Sequence, residues 1–286
     1  MARSNSARGR WVGTKGALNL FLVGAAVTAV YPFLVMAFGG FKAPGELTTN
    51  PSGIPAHPTT SNLTDLFTGP TGSLMWRGLL NSVVVTSLYT AITVLLCAMA
   101  GYAFVAYRFK GKSLIFGLLV ASMLVPFEVN IPSLYLLFSK IGWLDTYQVQ
   151  ILPGTASVLG MFMARQYMAG LPGEVFEAAR IDGAGHWRVF QRIALPMAAP
   201  VLGAVAVITF VAKWSDYLWP LIMVSTPQRE PVMVLLPELS TSQNGFIVEY
   251  QLLLAGALVI TVPILLVFLR FQDKFMSGTT AGAVRG

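Results

Sequence analysis

The sequence predicts an all-α polytopic membrane protein with six transmembrane helices and a cytoplasmic helix–turn–helix loop. The chain is 55% hydrophobic and only 11% charged, with a mean hydropathy of +0.67, whereas soluble domains carry about a quarter charged residues. Six long apolar runs approach the roughly 20 residues that a helix needs to cross about 30 Å of hydrocarbon. The Lys and Arg residues cluster at the ends of these runs, as they do in membrane proteins.

The apolar runs divide the chain into two tails and one membrane domain. The first run follows four basic residues, as a signal peptide does, but its core is too long and no small-residue cleavage site follows. We therefore interpret it as a retained signal anchor. We expect an N-terminal tail over 1–16, a six-helix transmembrane domain over 17–270 and a C-terminal tail over 271–286. The six runs cover residues 17–38, 78–107, 113–139, 146–164, 197–224 and 250–269.

The distribution of basic residues indicates which side of the membrane is cytoplasmic. With six spans, both termini lie on one side, together with the turn 108–112 and the loop 165–192. Fourteen of the nineteen Lys and Arg residues then fall on that side. Because cytoplasmic segments carry the excess of Lys and Arg, we predict that both termini are cytoplasmic. This pattern explains the net charge of +7 without a nucleic-acid partner.

The sequence contains no recognisable motif for nucleotide binding, metal binding or nucleophilic catalysis. The segment 106–113 has no glycine at the first position of a phosphate-binding loop and no strand before it, so we expect any ATP hydrolysis to occur on another chain. His57 and His186 lack Cys or carboxylate companions at ligand spacing, and no metal site is expected. Cys97 lies inside an apolar run and is interpreted as a small buried side chain. No nucleophile–base arrangement is recognisable.

The polar loop between the fourth and fifth runs is the most informative segment. Pro172 can begin a helix, and the carboxylates of Glu174 and Glu177 suit the positive end of its dipole. Gly183 is a natural end for that helix. A second short helix follows, with an apolar edge formed by residues three apart: Trp187, Phe190 and Ile193. The residues alone leave two interpretations open, a docking element for another protein or an amphipathic loop lying on the bilayer.

A resemblance to a known family favours docking. The pattern Glu-Ala-Ala-x3-Gly-x9-Ile-x-Leu-Pro resembles the signature of the membrane subunits of binding-protein-dependent ABC importers. The fuller segment is similar to the carbohydrate-uptake branch, which includes maltose and glycerol-3-phosphate permeases. Other segments agree with it, at 81–82, 108–111, 214–220 and 282–286. The signature residues are Glu177, Ala178, Ala179, Asp182, Gly183, Ile193, Leu195 and Pro196.

The resemblance implies a set of partners. The coupling loop, residues 171–196, would enter a cleft of a cytoplasmic ATPase dimer, with Glu177 opposite a basic residue and Gly183 at the tip. A second homologous permease subunit and an extracytoplasmic solute-binding protein would complete a complex in the lipid of a prokaryotic cell membrane. The chain itself would bind no cofactor, since ATP and Mg are used by the ATPase. Ser215 and Arg285 depart from the usual Asn and Lys of the family.

Charged residues inside the apolar runs are candidates for the translocation pathway. Lys213 and Asp216 lie three apart and share a helix face. An isolated charge at mid-bilayer costs about 2.5–3.5 kcal/mol on insertion scales, so both should pair or face protein or water. With Trp214, Tyr217 and Trp219 they are predicted either to line the pathway, offering aromatic faces to sugar rings, or to anchor the outer interface. Glu128 in the third run is a similar candidate, assigned to the pathway.

The leading hypothesis is one half of the translocation pathway of a heterodimeric, ATP-driven carbohydrate importer, a transporter subunit rather than an enzyme. One alternative keeps this architecture but imports glycerol-3-phosphate or another polyol phosphate, with Lys213 complementing the phosphate. Another is a membrane-embedded enzyme or channel that uses Glu128, Lys213 and Asp216 and needs no ATPase.

Overall fold

Helices and loops form the part of the chain that the computed structural model describes, residues 5–69, 72–240 and 249–280, and no strand occurs in it. The all-α prediction is therefore confirmed for these residues, while the closing motif 282–286 lies outside them. The α-helices are α1 (Asn5–Gly40), α2 (Glu46–Thr49), α3 (Ser61–Thr68), α4 (Gly72–Ala106), α5 (Lys112–Ser122), α6 (Ile131–Lys140), α7 (Tyr147–Ile151), α8 (Val158–Ala169), α9 (Gly173–Ile181), α10 (His186–Val189), α11 (Leu195–Met197), α12 (Ala199–Trp214), α13 (Leu218–Met223), α14 (Val232–Leu239) and α15 (Tyr250–Thr280). Shorter segments are a 3₁₀ turn at Phe127–Asn130, a π-helical segment at Phe190–Ala194 and a 3₁₀ turn at Pro227–Arg229.

The described helices make the chain a polytopic membrane protein. Three are long and apolar enough to cross a membrane: the Leu18–Gly40 part of α1, all of α4, and the Tyr250–Phe271 part of α15. Two further crossings are possible as bent pairs. α5 and the helical segment Phe127–Lys140 meet at 89°, and His186–Met197 meets α12 at 74°. The described chain thus contains three to five candidate crossings, where the sequence predicted six transmembrane helices.

Proline lies at both bends. Pro126 has an extended backbone before the 3₁₀ turn, and Pro132 lies in the first turn of α6. The second bend falls at Ala198, between Pro196 in α11 and Pro200 in the first turn of α12. A proline is tolerated in a first helical turn because its missing N–H would have no partner there, but it interrupts a helix interior. An apolar run therefore predicts burial in lipid without predicting a continuous helix.

The fourth predicted run, 146–164, is not one helix. It is divided between α7, which has five residues, and α8, which has twelve. Gly154, with φ +83°, lies between them. The hydroxyls of Thr146 and Ser157 accept hydrogen bonds from the backbone N–H groups of the first turns of α7 and α8, respectively, and so cap both helices. These turn and cap residues end one helix and start the next inside an otherwise apolar run.

The described chain falls into two compact units, the first comprising residues up to Gly72 with Leu239–Val259 and the second Ser73–Glu238 with the residues from Ile260 onward. In the first unit, the segment after α1 is an ordered loop with the short helices α2 and α3. The amide of Asn62 donates to the carbonyls of Gly40 and Lys42, at 2.9 and 2.8 Å. The ammonium of Lys42 is buried and donates to the carbonyl of Asn50, which closes the loop on itself.

Helices α4 and α8 of the second unit approach closely at two glycines. A Cβ atom on Gly101 would lie 2.8 Å from the Cβ of Ala164 and 2.9 Å from the backbone nitrogen of Arg165. A Cβ on Gly160 would lie 2.6 Å from the sulfur of Cys97. Small residues allow such backbone approach between membrane helices, where dispersion contacts replace the hydrophobic effect as the main attraction.

Polar side chains of α4 and α7 hold the loop before α14. The amide of Asn81 donates to the carbonyls of Gln228 and Glu230, both at 3.0 Å, and its oxygen accepts from the hydroxyl of Tyr147 at 2.8 Å. The hydroxyl of Ser82 accepts from the first backbone N–H of α14 at 2.9 Å. The Asn81–Ser82 pair therefore binds backbone groups of a segment about 150 residues away in the chain.

Asp145, in the loop between α6 and α7, fixes the other end of this segment. It has a φ of +57°, a region that Asp tolerates better than most residues. Its carboxylate accepts from the backbone N–H groups of Ser225 and Thr226 and the hydroxyl of Thr226, and pairs with Arg229 at 2.8 Å. Burial alone would raise the pKa of Asp145, but these hydrogen bonds and the Arg229 charge together hold it below its usual value.

The first prediction concerns the α4–α8 contact. Gly101→Val should lower the free energy of unfolding by about 1–3 kcal/mol, because the added atoms meet the backbone of α8, which cannot rotate away. Gly117→Val, in α5, is the matched control, since a Cβ there meets nothing within 4 Å. Thermal unfolding of both variants in detergent provides the measurement. Equal stability of the two variants would show that this contact is loose.

The second prediction concerns Asp145. A carboxyl with a lowered folded-state pKa stabilises the fold above its unfolded-state pKa, and this contribution is lost as the pH falls through the folded-state pKa. Asp145→Asn should therefore be less stable at neutral pH, by a margin that shrinks on acidification.

Thermal unfolding over a pH series tests this, with both proteins carrying Glu230→Gln. The substitution is needed because burial, Glu238 and Asp145 raise the pKa of Glu230, and its titration would overlap. A stability gap that does not change with pH would contradict the role given to the Asp145 carboxylate.

Candidate functional site

The loop between α8 and α12 is the first part of the candidate site. Its first helix, α9, begins directly after Pro172, which has an extended backbone as the N-cap, and Glu174 lies in the first turn. Glu177 and Ala178 are exposed, whereas Ala179 is half-buried. The helix predicted from Pro172 and the two glutamates is therefore present, and it leaves the Glu177 carboxylate accessible.

Gly183 ends α9 in a hydrogen-bonded turn. Its φ is +78°, which costs glycine little and other residues more. The N–H of Gly183 bonds to the carbonyl of Arg180 at 3.0 Å, and the N–H of Ala184 bonds to the carbonyl of Ala179 at 2.9 Å. This pair of bonds is the Schellman arrangement for closing a helix C-terminus. The predicted cap at Gly183 is confirmed.

The second part of the loop, residues 186–198, is called the return half below. It is longer and more irregular than the short helix that the sequence predicted. α10 continues through the π-helical segment and α11 before the bend at Ala198. Phe190 is 3% exposed, and its ring centroid lies 5.3 Å from that of Tyr102 in α4 and 5.4 Å from that of Trp187. π-helical turns are rare and occur often at functional sites.

Part of the signature is structural. The return half shares one cluster of buried side chains with α4, α8 and α12. The cluster includes Tyr102, Ala164, Met168, Val189, Phe190, Ala194, Ala198 and Leu202. Ala179, Ile193 and Leu195 pack against this cluster while remaining partly exposed. These three signature residues therefore attach the loop to the helices beneath it, while Glu177, Ala178, Asp182 and Gly183 are exposed.

Two large apolar side chains project from this loop. Ile181, the last residue of α9, is 86% exposed, and Trp187 in α10 is 58% exposed. Single exposed apolar residues are common on protein surfaces. An Ile and a Trp that project from the same ordered loop are more typical of a protein–protein interface, where Trp is enriched among the residues that contribute most to binding. The loop therefore presents a protruding apolar surface with a carboxylate on the same helix.

The second part of the site is a cavity of about 460 Å³. It brings together Glu128, Lys213, Asp216 and Trp219, four of the six residues that the sequence assigned to the pathway. Aromatic side chains complete much of its wall, from Tyr89 in α4, Phe127 in the 3₁₀ turn and Trp219 in α13.

Lys213 and Asp216 form an ion pair on the cavity wall, with 2.9 Å between Nζ and Oδ2. The ammonium also lies 5.1 Å from the centroid of the Tyr89 ring. The second oxygen of Asp216 accepts from the backbone N–H of Trp219 at 3.3 Å. Pairing in this low-dielectric place removes the cost of two isolated charges. Glu128, by contrast, is exposed and forms no ion pair with any residue that the structure describes.

The two other predicted pathway residues lie elsewhere. Trp214 is 1% exposed; its ring stacks on Phe210 with centroids 5.7 Å apart, and its indole N–H donates to the carbonyl of Ile260 at 3.1 Å. It packs between helices instead of facing the cavity. Tyr217 is 42% exposed and is not part of the cavity wall. Lys213 and Trp214 are consecutive residues of α12 and therefore point about 100° apart. Asp216 and Tyr217 follow the end of this helix, so the expected shared helix face does not extend to them.

No sequence pattern was used to assign Tyr89 and Thr93 to the cavity, which both residues line. A signal was present in α4, where the polar residues 82, 86, 89 and 93 recur every three or four positions inside an apolar helix. Thr93 is fully buried and its hydroxyl has no hydrogen-bond partner in the described chain. Trp219 donates its indole N–H to the carbonyl of Val149 at 2.8 Å, which holds the ring at the wall. Within the described ranges, no group of three His, Cys, Asp or Glu side chains could hold a metal.

Candidate membrane-crossing helices, an ordered protruding loop and a largely apolar cavity that contains three charged side chains are features of a membrane permease. The family model for "binding-protein-dependent transport system inner membrane component" matches residues 93–279, and the chain belongs to this family. It is therefore a transporter component rather than an enzyme, as the sequence predicted, and the recognised family is confirmed.

Relatives and a solved structure agree with this assignment. The arabinooligosaccharides transport system permease protein AraQ of Halalkalibacterium halodurans is 34% identical, over 91% of this chain and 93% of its own length. The galactooligosaccharides permease GanQ of Bacillus subtilis is 32% identical, over 93% and 94%. A chain of a bacterial ABC transporter that imports the acidic polysaccharide alginate matches with a TM-score of 0.77 at 18% identity, over 96% of this chain and 98% of that chain; at this identity, it supports the fold alone.

The third prediction tests the turn at the loop tip. Gly183→Ala should destabilise the loop by roughly 1–2 kcal/mol, because a Cβ is unfavourable at positive φ. Gly185→Ala is the matched control, since Gly185 has a φ of −65° and a Cβ at either position meets nothing within 4 Å. Hydrogen exchange of the α9 amides should accelerate about tenfold in the first variant only. Equal protection in both variants would exclude a conformational role for Gly183.

Proposed function

We propose that this chain forms half of the translocation pathway of an ATP-driven carbohydrate importer, and that the loop 171–196 couples it to a separate ATPase dimer. The observation that carries the proposal is the arrangement of the loop itself. Val189, Phe190 and Ala194 are buried against the helices beneath the loop. Glu177, Ile181 and Trp187 of the same loop are exposed. A lever needs this combination, because a force on the exposed residues must reach the helices without being absorbed by a flexible loop.

Alternating access follows from this arrangement. The π-helical segment, α11 and α12 continue directly from the loop, and Lys213 in the last turn of α12 lies on the cavity wall. Closure of the ATPase would move the loop and swing α12 at its bend. The cavity would then open alternately inward and outward, provided that the ATPase contacts the loop differently in its two states.

The six-span topology with cytoplasmic termini is part of the proposal. Five crossings would be supplied by α1, α4, the bent segment Lys112–Lys140, α12 with its preceding segment, and α15, if each bent pair is one span. α7 and α8 would supply the sixth, since α8 alone is only about 18 Å long. The excess of Lys and Arg at the ends of the spans favours the cytoplasmic side for both termini and for the loop.

The cavity favours a carbohydrate over a polyol phosphate. Its aromatic side chains suit the apolar faces of sugar rings, and the relatives AraQ and GanQ are named for oligosaccharides. The phosphate alternative relied on Lys213, but that ammonium is already paired with Asp216 and Glu128 adds a negative charge nearby. A phosphate would therefore meet net negative charge on this half of the pathway.

The remaining partners follow from the family. A second permease subunit would complete the pathway, and a solute-binding protein would deliver the substrate from outside. One solved alginate ABC transporter with this fold carries a periplasmic protein bound to an alginate pentasaccharide. ATP and Mg would be bound by the ATPase. The complex would be embedded in the lipid of a prokaryotic cell membrane.

The fourth prediction tests coupling. Glu177→Lys should lower both substrate uptake and transport-stimulated ATP hydrolysis by roughly tenfold to a hundredfold, because it places two positive charges together at the ATPase contact. Glu174→Lys is the matched control, with the same charge change in the first turn of the same helix. Uptake is measured in cells that express the complete importer, and ATP hydrolysis with the purified complex.

Assembly of the complex must be checked alongside. If Glu177→Lys leaves the complex intact with uptake and stimulated hydrolysis at wild-type levels, the loop does not couple through this residue. Turnover or conductance by the purified chain alone, without an ATPase, would instead favour the enzyme or channel alternative.

A further inference from the structure

A basic cleft lies beneath the loop, apart from the cavity described above. Arg108, Arg180 and His186 line a cavity of about 370 Å³ between the end of α4 and the turn from α9 to α10. Ala106, Ala184, Gly185 and Val189 complete its wall. The name basic cleft is used below for this set of seven residues.

The charge of the basic cleft is not neutralised within the described chain. Neither Arg108 nor Arg180 belongs to the ion pairs found there, which join Lys213 to Asp216 and Arg229 to Asp145. An adjoining cavity, also about 370 Å³, shares both arginines, and the one carboxylate among its lining residues is that of Glu177. Two guanidiniums and an imidazole facing one cavity thus provide a concentrated set of donors for an anion.

The position of the cleft along the membrane normal follows from the helices beside it. α4 is a membrane-crossing helix that ends at Ala106, and the bent crossing that follows starts at Lys112. Arg108 therefore lies in the short turn between two crossings, where the hydrocarbon ends and the lipid phosphates begin. Tyr107 and Phe109 in this turn are 41% and 43% exposed, as is usual for aromatic residues at the membrane interface.

Contacts across the cleft hold its two walls together. The ring centroids of Tyr107 and His186 lie 4.8 Å apart, and the hydroxyl of Tyr102 donates to the carbonyl of His186 at 3.5 Å. The ammonium of Lys112 donates to the carbonyl of Tyr107 at 2.9 Å, which fixes the turn that carries Arg108. A ligand therefore need not order the walls on binding, which reduces the entropic cost.

We propose that the basic cleft binds the phosphate group of an anionic phospholipid such as phosphatidylglycerol. Guanidinium groups bind phosphate through paired hydrogen bonds, and basic pockets at the cytoplasmic ends of membrane helices are known to hold lipid head groups. The proposal needs only the embedding in the membrane and not the coupling to an ATPase. Its consequence is that an anionic lipid bridges the turn after α4 to the coupling loop and holds the loop in one orientation.

Lipid retention tests the proposal in the complete transport complex. The complex is purified in detergent from a membrane that contains phosphatidylglycerol, phosphatidylethanolamine and cardiolipin, and its bound lipids are quantified by mass spectrometry. Arg108→Gln and Arg180→Gln should each weaken phosphatidylglycerol retention about tenfold, since each removes a charged hydrogen-bond donor. Arg192→Gln is the matched control, because Arg192 is an exposed arginine of the same loop outside the cleft.

A second measurement identifies the source of the phosphate. Vesicles of phosphatidylglycerol should raise the melting temperature of the delipidated complex, and phosphatidylcholine vesicles or inorganic phosphate should not. An equal rise with inorganic phosphate would overturn the lipid assignment. So would unchanged phosphatidylglycerol retention in the Arg108→Gln and Arg180→Gln complexes.

The competing occupant is an acidic side chain of the ATPase. If the two variants lose the ATPase on purification while the permease still retains phosphatidylglycerol, the cleft is a protein contact and the lipid proposal is wrong. The Glu177→Lys experiment remains independent, because it reports coupling in a complex with an unaltered cleft.

Discussion

The packing of the coupling loop onto the bundle, centred on Phe190 and Tyr102, is the interaction on which the rest of the structure depends. Burying one Phe is worth about 1.5–3 kcal/mol, and the same cluster takes in Ala194 and Ala198 from the return half. Because α12 begins directly after this segment, at the bend at Ala198, the loop is joined to the helix that carries Lys213. With a rise of 1.5 Å per residue, α12 extends about 24 Å from the bend. In the proposed importer, it would carry motion from the loop to Lys213 at the cavity.

At the opposite end of α12, the ion pair between Lys213 and Asp216 is the main interaction. The Lys213 ammonium and the Asp216 carboxylate are each costly inside an apolar span. Their ion pair, and the hydrogen bond that Asp216 accepts from a backbone N–H, reduce that cost at the cavity wall. The helix breaks at Ser215–Tyr217 support this, since irregular backbone within a membrane protein is stable only where protein or a cavity satisfies its polar groups. The cavity and the interruption of the fifth apolar run therefore have one physical origin.

A single sequence motif serves two purposes in this loop. Read as a pattern, Glu177, Ala178, Ala179 and Gly183 form one docking signature. In the structure, Ala179 packs inward, Gly183 provides a backbone conformation, and Glu177 and Ala178 are exposed. Ile181 and Trp187, the most prominent apolar side chains of the loop, are absent from the signature. A motif records which residues the loop needs, without separating those that hold its shape from those that another protein can reach.

Composition and local pattern were sufficient to predict the helical membrane class, the start of α9 near Pro172 and its end at Gly183, because hydropathy, helix caps and positive φ are properties of neighbouring residues. The family was recognised from the resemblance of the loop motif. Composition and local pattern also placed Glu128, Lys213 and Asp216 in the apolar runs. The tertiary structure alone decided that these three meet in one cavity, that Trp214 turns away to bond the carbonyl of Ile260, and that 146–164 is two helices. Those outcomes depend on contacts between residues far apart in the chain, and no local pattern carries that information.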